Sequence, residues 1–75
     1  MEEILITTEF ITLDQFLKFA NIVASGGEAK FVIKSGLVKV NDEVEQRRGR
    51  KLYHGDRVEV EDAGVWLVAT TESNQ

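Results

Sequence analysis

The chain has 75 residues, no cysteine, and 9 Lys and Arg against 13 Asp and Glu, a formal net charge of −4 at pH 7. That length supports a single domain over residues 1–75, and without cysteine its core must come from Ile, Leu, Val and Phe rather than from disulfides or thiolate-bound metal. No apolar run approaches the roughly 20 residues of a membrane span, and the first residues are acidic where a secretory signal is basic, so the expectation is a soluble, cytoplasmic protein with no membrane partner.

In chain order, Ile4 to Thr7 is short, β-branched and apolar, which predicts an edge strand or an extended arm. Thr12-Leu-Asp-Gln15 has the form of a capping box, so a helix is expected to start at Leu13 and to end near Asn21. At about 100° per residue its apolar arc is Leu13, Phe16, Leu17, Phe19 and Ala20, with Ile22 and Val23 packing from the turn that follows. Ser25 and Glu28 form a second capping box, and Gly36 supplies the left-handed residue that commonly closes a helix. On this second helix Ala29, Val32 and Ile33 share the apolar arc, whereas Lys30 and Lys34, four residues apart, stand together on another face. Phe31 lies on neither face. Packing in the core is the expectation for it and for Tyr53, with stacking on unpaired bases the other use of the two rings.

After Gly36 the pattern alternates, with Val38 and Val40 to one side and Lys39 to the other, and Asn41-Asp42 is suited to a tight turn. Val44 is expected to resume the buried face. Arg47 to Lys51 is too charged for a core and is expected to curve around the sheet edge. His54-Gly-Asp56 reads as a turn, Val58 to Glu61 and Val65 to Ala69 as strands, and residues 70–75 as a frayed polar tail. The order predicts an α+β fold, two short helices packed on a small antiparallel sheet.

Catalytic chemistry has little to stand on. The single histidine, His54, sits in a turn with no motif pairing it to a nucleophile, the carboxylates lack the spacing of a calcium loop, and Gly26-Gly27 lacks the frame of a phosphate-binding P-loop. The expectation is a non-enzymatic protein with no metal site and no cofactor.

Charge distribution is the stronger signal. Residues 1–29 carry a net −4, residues 30–57 a net +4, and the remainder a net −4. Lys30, Lys34, Lys39, Arg47, Arg48, Arg50 and Lys51 all fall in the basic middle, on a helix, a strand and a loop that Gly36 joins closely enough for them to converge. Arginine suits phosphate because its planar fork gives two parallel hydrogen bonds, and the N–H groups of Gly26 and Gly27 at the second helix's start offer backbone anion contacts. The residues alone leave two readings of similar weight, a solvated charged surface and a nucleic-acid contact.

Ser25, Glu28, Ala29, Ile33, Gly36, Val38, Val40 and Asn41 stand where the S-four RNA-binding domain has its Ser-Arg-x-x-Ala-x-x-x-Ile-x-x-Gly-x-Val-x-Val-Asn-Gly core. Leu13-Asp14 resembles that family's leading Leu-Asp, and Gly55-Asp-x-Val-x-Val60 its closing segment, so the resemblance covers about residues 11–61. Ser-Gly-Gly-x-Ala-Lys followed by Arg-Arg-Gly-Arg-Lys is similar to the small stand-alone YaaA/YbcJ-type members. The resemblance implies an αL-type motif that docks on structured RNA, ribosomal RNA or an assembling ribosomal particle, through Lys30, Lys34, Lys39, Asn41, Arg47, Arg48, Arg50 and Lys51. Gly26 and Gly27 depart from positions that are often basic, and Asp42 replaces the usual turn glycine with a negative charge.

Two other classes compete with this reading. A protein-interaction adaptor would use the acidic edge of Glu43, Glu45, Glu59 and Glu61, or the basic face on an acidic partner. A β-grasp sulfur carrier would need a C-terminal Gly-Gly, whereas the sequence ends Glu72-Ser-Asn-Gln75.

Overall fold

The computed structural model describes residues 1–71, and the tail expected at 72–75 lies outside them. The fold is α+β, as the alternation of periods requires, but its sheet is mixed rather than antiparallel. Strands β1 (Glu2–Ile6), β3 (Val38–Val40), β4 (Glu43–Val44), β6 (Arg57–Val60) and β7 (Gly64–Thr70) form one sheet in the order β1-β7-β6-β3-β4. β1 runs parallel to β7, with Ile4 opposite Val68, and the other neighbours are antiparallel. A second, two-stranded sheet pairs β2 (Phe10–Thr12) with β5 (Lys51–Tyr53). It is absent from the sequence-based expectation, because each partner is only three residues long and the pairing is remote in sequence. β7 continues through Thr70, whose N–H and hydroxyl donate to His54 Nδ1 and the Thr8 carbonyl, so the polar tail begins later than position 70.

Helix α1 (Leu13–Phe19) starts where expected, but the Thr12 capping box does not form. The Leu13 and Asp14 N–H groups donate to the Arg50 and Arg48 carbonyls at 2.8 and 3.1 Å, while Asp14 Oδ1 accepts from the Gln15 N–H and the Thr12 hydroxyl. The 47–51 segment thus serves the first two orphan donors of the helix, and the Asp14 carboxylate takes the Gln15 N–H that the Thr12 hydroxyl would have held. Leu13, Phe16 and Leu17 are fully buried, whereas Phe19, placed on the same arc by periodicity, is exposed. Helix α2 (Gly26–Lys34) does carry its box. Ser25 Oγ accepts from the Glu28 N–H at 3.2 Å, and Glu28 Oε1 reaches one residue further back, to the Ala24 N–H at 2.8 Å. No helix among the described residues is long and apolar enough to cross a membrane.

The buried side chains of both helices form one cluster with those of the strands, in which Phe16, Leu17 and Ile33 meet Val38, Val40, Leu52, Val58 and Val68. Val23 joins it from the connecting turn, and Ile22 packs against it.

α2 turns into β3 through Gly36, whose φ is +79°. A Cβ there would reach only Val44 Cγ1, at 4.0 Å, so space is not the constraint. The left-handed backbone is. Gly36→Ala is therefore expected to cost about 1 kcal/mol, read as a lower urea midpoint with an unchanged m-value. An unchanged midpoint would show that this helix end tolerates any residue.

The turn after β3 decides which side chains enter the core. Asn41 and Asp42 both have positive φ, 52° and 74°, as a two-residue hairpin turn demands. With that turn length Lys39 stands opposite Val44 and Val40 opposite Glu43. Val44 consequently shares the solvent face with Lys39 and is exposed, contrary to expectation, and Glu45 turns inward at 7% exposure.

Candidate nucleic-acid interface

Glu45 is the organising residue of the basic loop. Its Oε2 accepts from Arg47 Nε at 2.8 Å and from the Arg47 backbone N–H at 3.0 Å, and its Oε1 accepts from Arg47 Nη2 at 2.9 Å and Arg50 Nη1 at 2.8 Å. Hydrogen bonding by the Arg47 guanidinium, aided by Arg50 and opposed by burial, lowers its carboxyl from the ordinary 4.5 to about 2. Glu45 therefore leaves the acidic edge expected of it and becomes the anchor of two cations. Each guanidinium has five N–H donors, of which Arg47 commits two and Arg50 one, so both forks retain donors for a phosphate. The Arg47 side chain is 74% exposed.

The loop that carries these arginines is tied down on three sides. The Glu45 N–H donates to the Val38 carbonyl, Gln46 Nε2 donates to the Lys34 carbonyl at 2.9 Å, and the Arg48 and Arg50 carbonyls receive the first N–H groups of α1. The Gln46 bond joins the end of α2 to the residue preceding Arg47. The last turn of α2 and the start of the arginine loop are thereby held next to each other.

The other predicted residues fall into separate settings. Lys30 and Lys34 line a groove on α2 with Gly27, Phe31 and Ser35. Arg47, Arg50 and Lys51 line a second groove with Gly49. Neither Arg48 nor Lys51 has a carboxylate partner among the described residues, and the Lys51 ammonium stands 4.9 Å over the centre of the Phe10 ring. Lys39 is set apart. It faces Glu59 across the β3–β6 pair and shares a concavity with Glu59 and Glu61.

Asn41 is engaged within the fold. Its Nδ2 donates to Asp56 Oδ1 at 3.1 Å and its Oδ1 accepts from the Arg57 N–H at 2.9 Å, which ties the hairpin turn to the start of β6. Asp42 pairs with Arg57, and that guanidinium holds its carboxyl below the usual carboxylate range. The negative charge that Asp42 brings in place of glycine thus has a neutralising partner.

At the start of α2, neither the Gly26 nor the Gly27 N–H has an acceptor among the described residues. The Lys18 ammonium lies 3.8 Å from where a Gly26 Cβ would stand. Lys18 is a cation that residue patterns do not place at this helix start. It sits in the acidic first third of the chain, and only the packing of α1 against α2 brings it here. Phe31 and Tyr53, expected in the core, are exposed at 66% and 44%. Phe31 points away from the Ala29–Ile33 arc, and Tyr53 instead packs on Phe10, with ring centres 5.8 Å apart.

Residues 4–68 match the family model described as the S4 domain. A relative from Bacillus subtilis strain 168, named probable ribosome maturation protein RlbA, is 56% identical over 63 residues, which span 84% of this chain and 89% of the relative. Among solved structures, a pseudouridylate synthase superposes with a TM-score of 0.63 at 25% identity, over 69% of this chain and 22% of the synthase. The 30S ribosomal protein S4e from Thermoplasma acidophilum superposes with a TM-score of 0.55 at 21% identity, over 72% of this chain and 29% of that protein, a likeness of fold. The chain spans less than a third of either solved structure.

Proposed function

Because the chain belongs to the S4 domain family, we propose that it is a non-enzymatic protein that docks on structured RNA, in ribosomal RNA or a maturing ribosomal particle, through the basic face made by α2 and the 45–51 loop. The observation that carries this reading is the loop itself. An acidic chain holds Arg47 and Arg50 in place with one inward-turned carboxylate and leaves Arg48, Lys51, Lys30 and Lys34 without carboxylate partners among the described residues. Fixed guanidinium forks beside unpaired ammonium groups suit a phosphate backbone whose shape is already set.

Lys30, Lys34, Arg47, Arg48, Arg50 and Lys51 touch phosphate in this mode of binding. Gly26 and Gly27 add backbone N–H donors beside Lys18, at a helix start whose partial positive charge favours an anion. Lys39 contributes less because Glu59 and Glu61 surround it, and Asn41 acts by holding the hairpin turn. The ribosomal setting, and with it a place in the cytoplasm, is supported by the name of the 56% identical relative.

Sedimentation of a cell lysate through a gradient tests the reading. The protein should travel with ribosomal particles, be released by raised salt, and be lost from the heavy fractions after nuclease digestion. A heavy complex that survives both treatments would mark a protein-interaction adaptor instead.

A further inference from the structure

We infer that the groove on α2 takes a single unpaired nucleobase stacked on Phe31, with the adjoining phosphates held by Lys30 and Lys34. This rests on the RNA reading and narrows it. Phe31 is 66% exposed on a helix whose other apolar residues are fully buried, as Ala29 and Ile33 are, or half-buried against the core, as Val32 is. Its neighbours one turn below and one turn above, at four residues' distance, are Gly27 and Ser35, and both line the same groove. A long helical side chain leans toward the turn N-terminal to it, which here is the turn of Gly27. That turn is open, since a Cβ at Gly27 would meet only Ser25 Oγ, at 3.9 Å. The neighbours of the ring at four residues' distance are therefore small on both sides, and Lys34, three residues on, lines the same groove.

The flanking charges select the occupant. Lys30 and Lys34 border the ring, four residues apart on one helix face. An apolar protein segment seated on Phe31 would have to desolvate two ammonium groups without pairing them. A nucleotide suits all three groups, because its base offers a π face to the ring and its phosphates offer charge to the lysines. The base must be unpaired, since stacking inside a duplex leaves no free face for a side chain.

The test compares the full chain with Phe31→Leu, Phe31→Trp and Lys30→Gln/Lys34→Gln for binding to two probes, folded ribosomal RNA and a fully paired RNA duplex. Leucine should weaken binding to ribosomal RNA about tenfold, the size of a single base–aromatic stack, without changing the salt slope, and tryptophan should restore it. On the paired duplex, leucine should change nothing. The lysine variant should weaken both and make the slope shallower by about 0.7 to 0.9 for each phosphate it no longer neutralises. A leucine variant that binds ribosomal RNA like the parent, while the lysine variant is weakened, overturns the stacking inference and leaves the RNA reading standing. An equal loss with leucine on both probes also overturns it. If the parent chain binds neither probe in a salt-dependent way, the RNA reading fails first. If leucine abolishes binding to ribosomal particles but not to their naked RNA, Phe31 meets a ribosomal protein and the inference is wrong.

Discussion

Changing Lys30, Lys34, Arg48 and Lys51 together to glutamine is expected to weaken binding to folded ribosomal RNA by about three decades at physiological salt, at roughly 0.7 to 0.8 of a decade for each phosphate left without its cation. These four are chosen because none has a carboxylate partner among the described residues, so their removal strands no buried charge. The fold should survive within about 1 kcal/mol, the largest loss being the Lys51 ammonium over the Phe10 ring. A urea titration checks that half of the prediction and a filter-binding titration the other. Retained affinity in a folded variant would remove the α2 face and the loop from the interface. Alanine at Arg47 and Arg50 would be a poorer test, because it would leave Glu45 turned inward with nothing to neutralise it.

The second large effect lies at Glu45. Glu45→Ala is expected to lower stability by about 2 to 3 kcal/mol, since it removes the acceptor of two guanidinium groups and opens the loop that supplies carbonyls to α1. The loss depends on pH. The carboxyl is held at about 2, below its ordinary 4.5, so its contribution is fully present above about pH 4.5 and is lost as the pH falls from there toward 2. Solvent around the exposed Arg47 reduces that contribution to about 2 kcal/mol. Stability curves of the parent chain and Glu45→Gln should therefore converge between pH 4.5 and 2. Parallel curves over that window would mean that Glu45 does not stay ionised in the fold.

What was legible in the sequence was local. Ser25 and Glu28 sit three residues apart and cap α2 with no help from the rest of the chain, and Gly36 and the Asn41-Asp42 turn act through their own backbone angles. The match of Ser25, Ala29, Ile33 and Val38 to the family core follows the same logic, because these residues serve one continuous helix-to-strand unit. What was not legible depends on partners far away. The parallel pairing of β1 with β7 joins opposite ends of the chain, and the β2–β5 pair joins Phe10 to Tyr53. Neither leaves a short-range pattern. Beside that unseen pair the Arg48 and Arg50 carbonyls meet the first two N–H groups of α1, while the Thr12 cap is lost locally, to the Asp14 carboxylate that holds both the Gln15 N–H and the Thr12 hydroxyl.

The candidate site was legible as charge but not as geometry. A run of arginines and lysines can be counted from residue types, yet whether Glu45 repels a partner or organises the run depends on which way it points. That is set by parity, because a two-residue turn places Val44 beside Lys39 and sends the next residue inward. Phe31 illustrates the opposite case. Periodicity excludes it from the apolar arc, and its exposure bears out that pattern rather than the general tendency of phenylalanine to be buried.

The most direct measurement of the central claim is the affinity of the parent chain for folded ribosomal RNA across a range of salt concentrations. With four to six phosphates neutralised by the α2 lysines and the loop, log K should fall against log salt with a slope of about −3 to −5. A slope near zero with affinity intact would contradict the claim, because it would leave the basic face without a phosphate to hold.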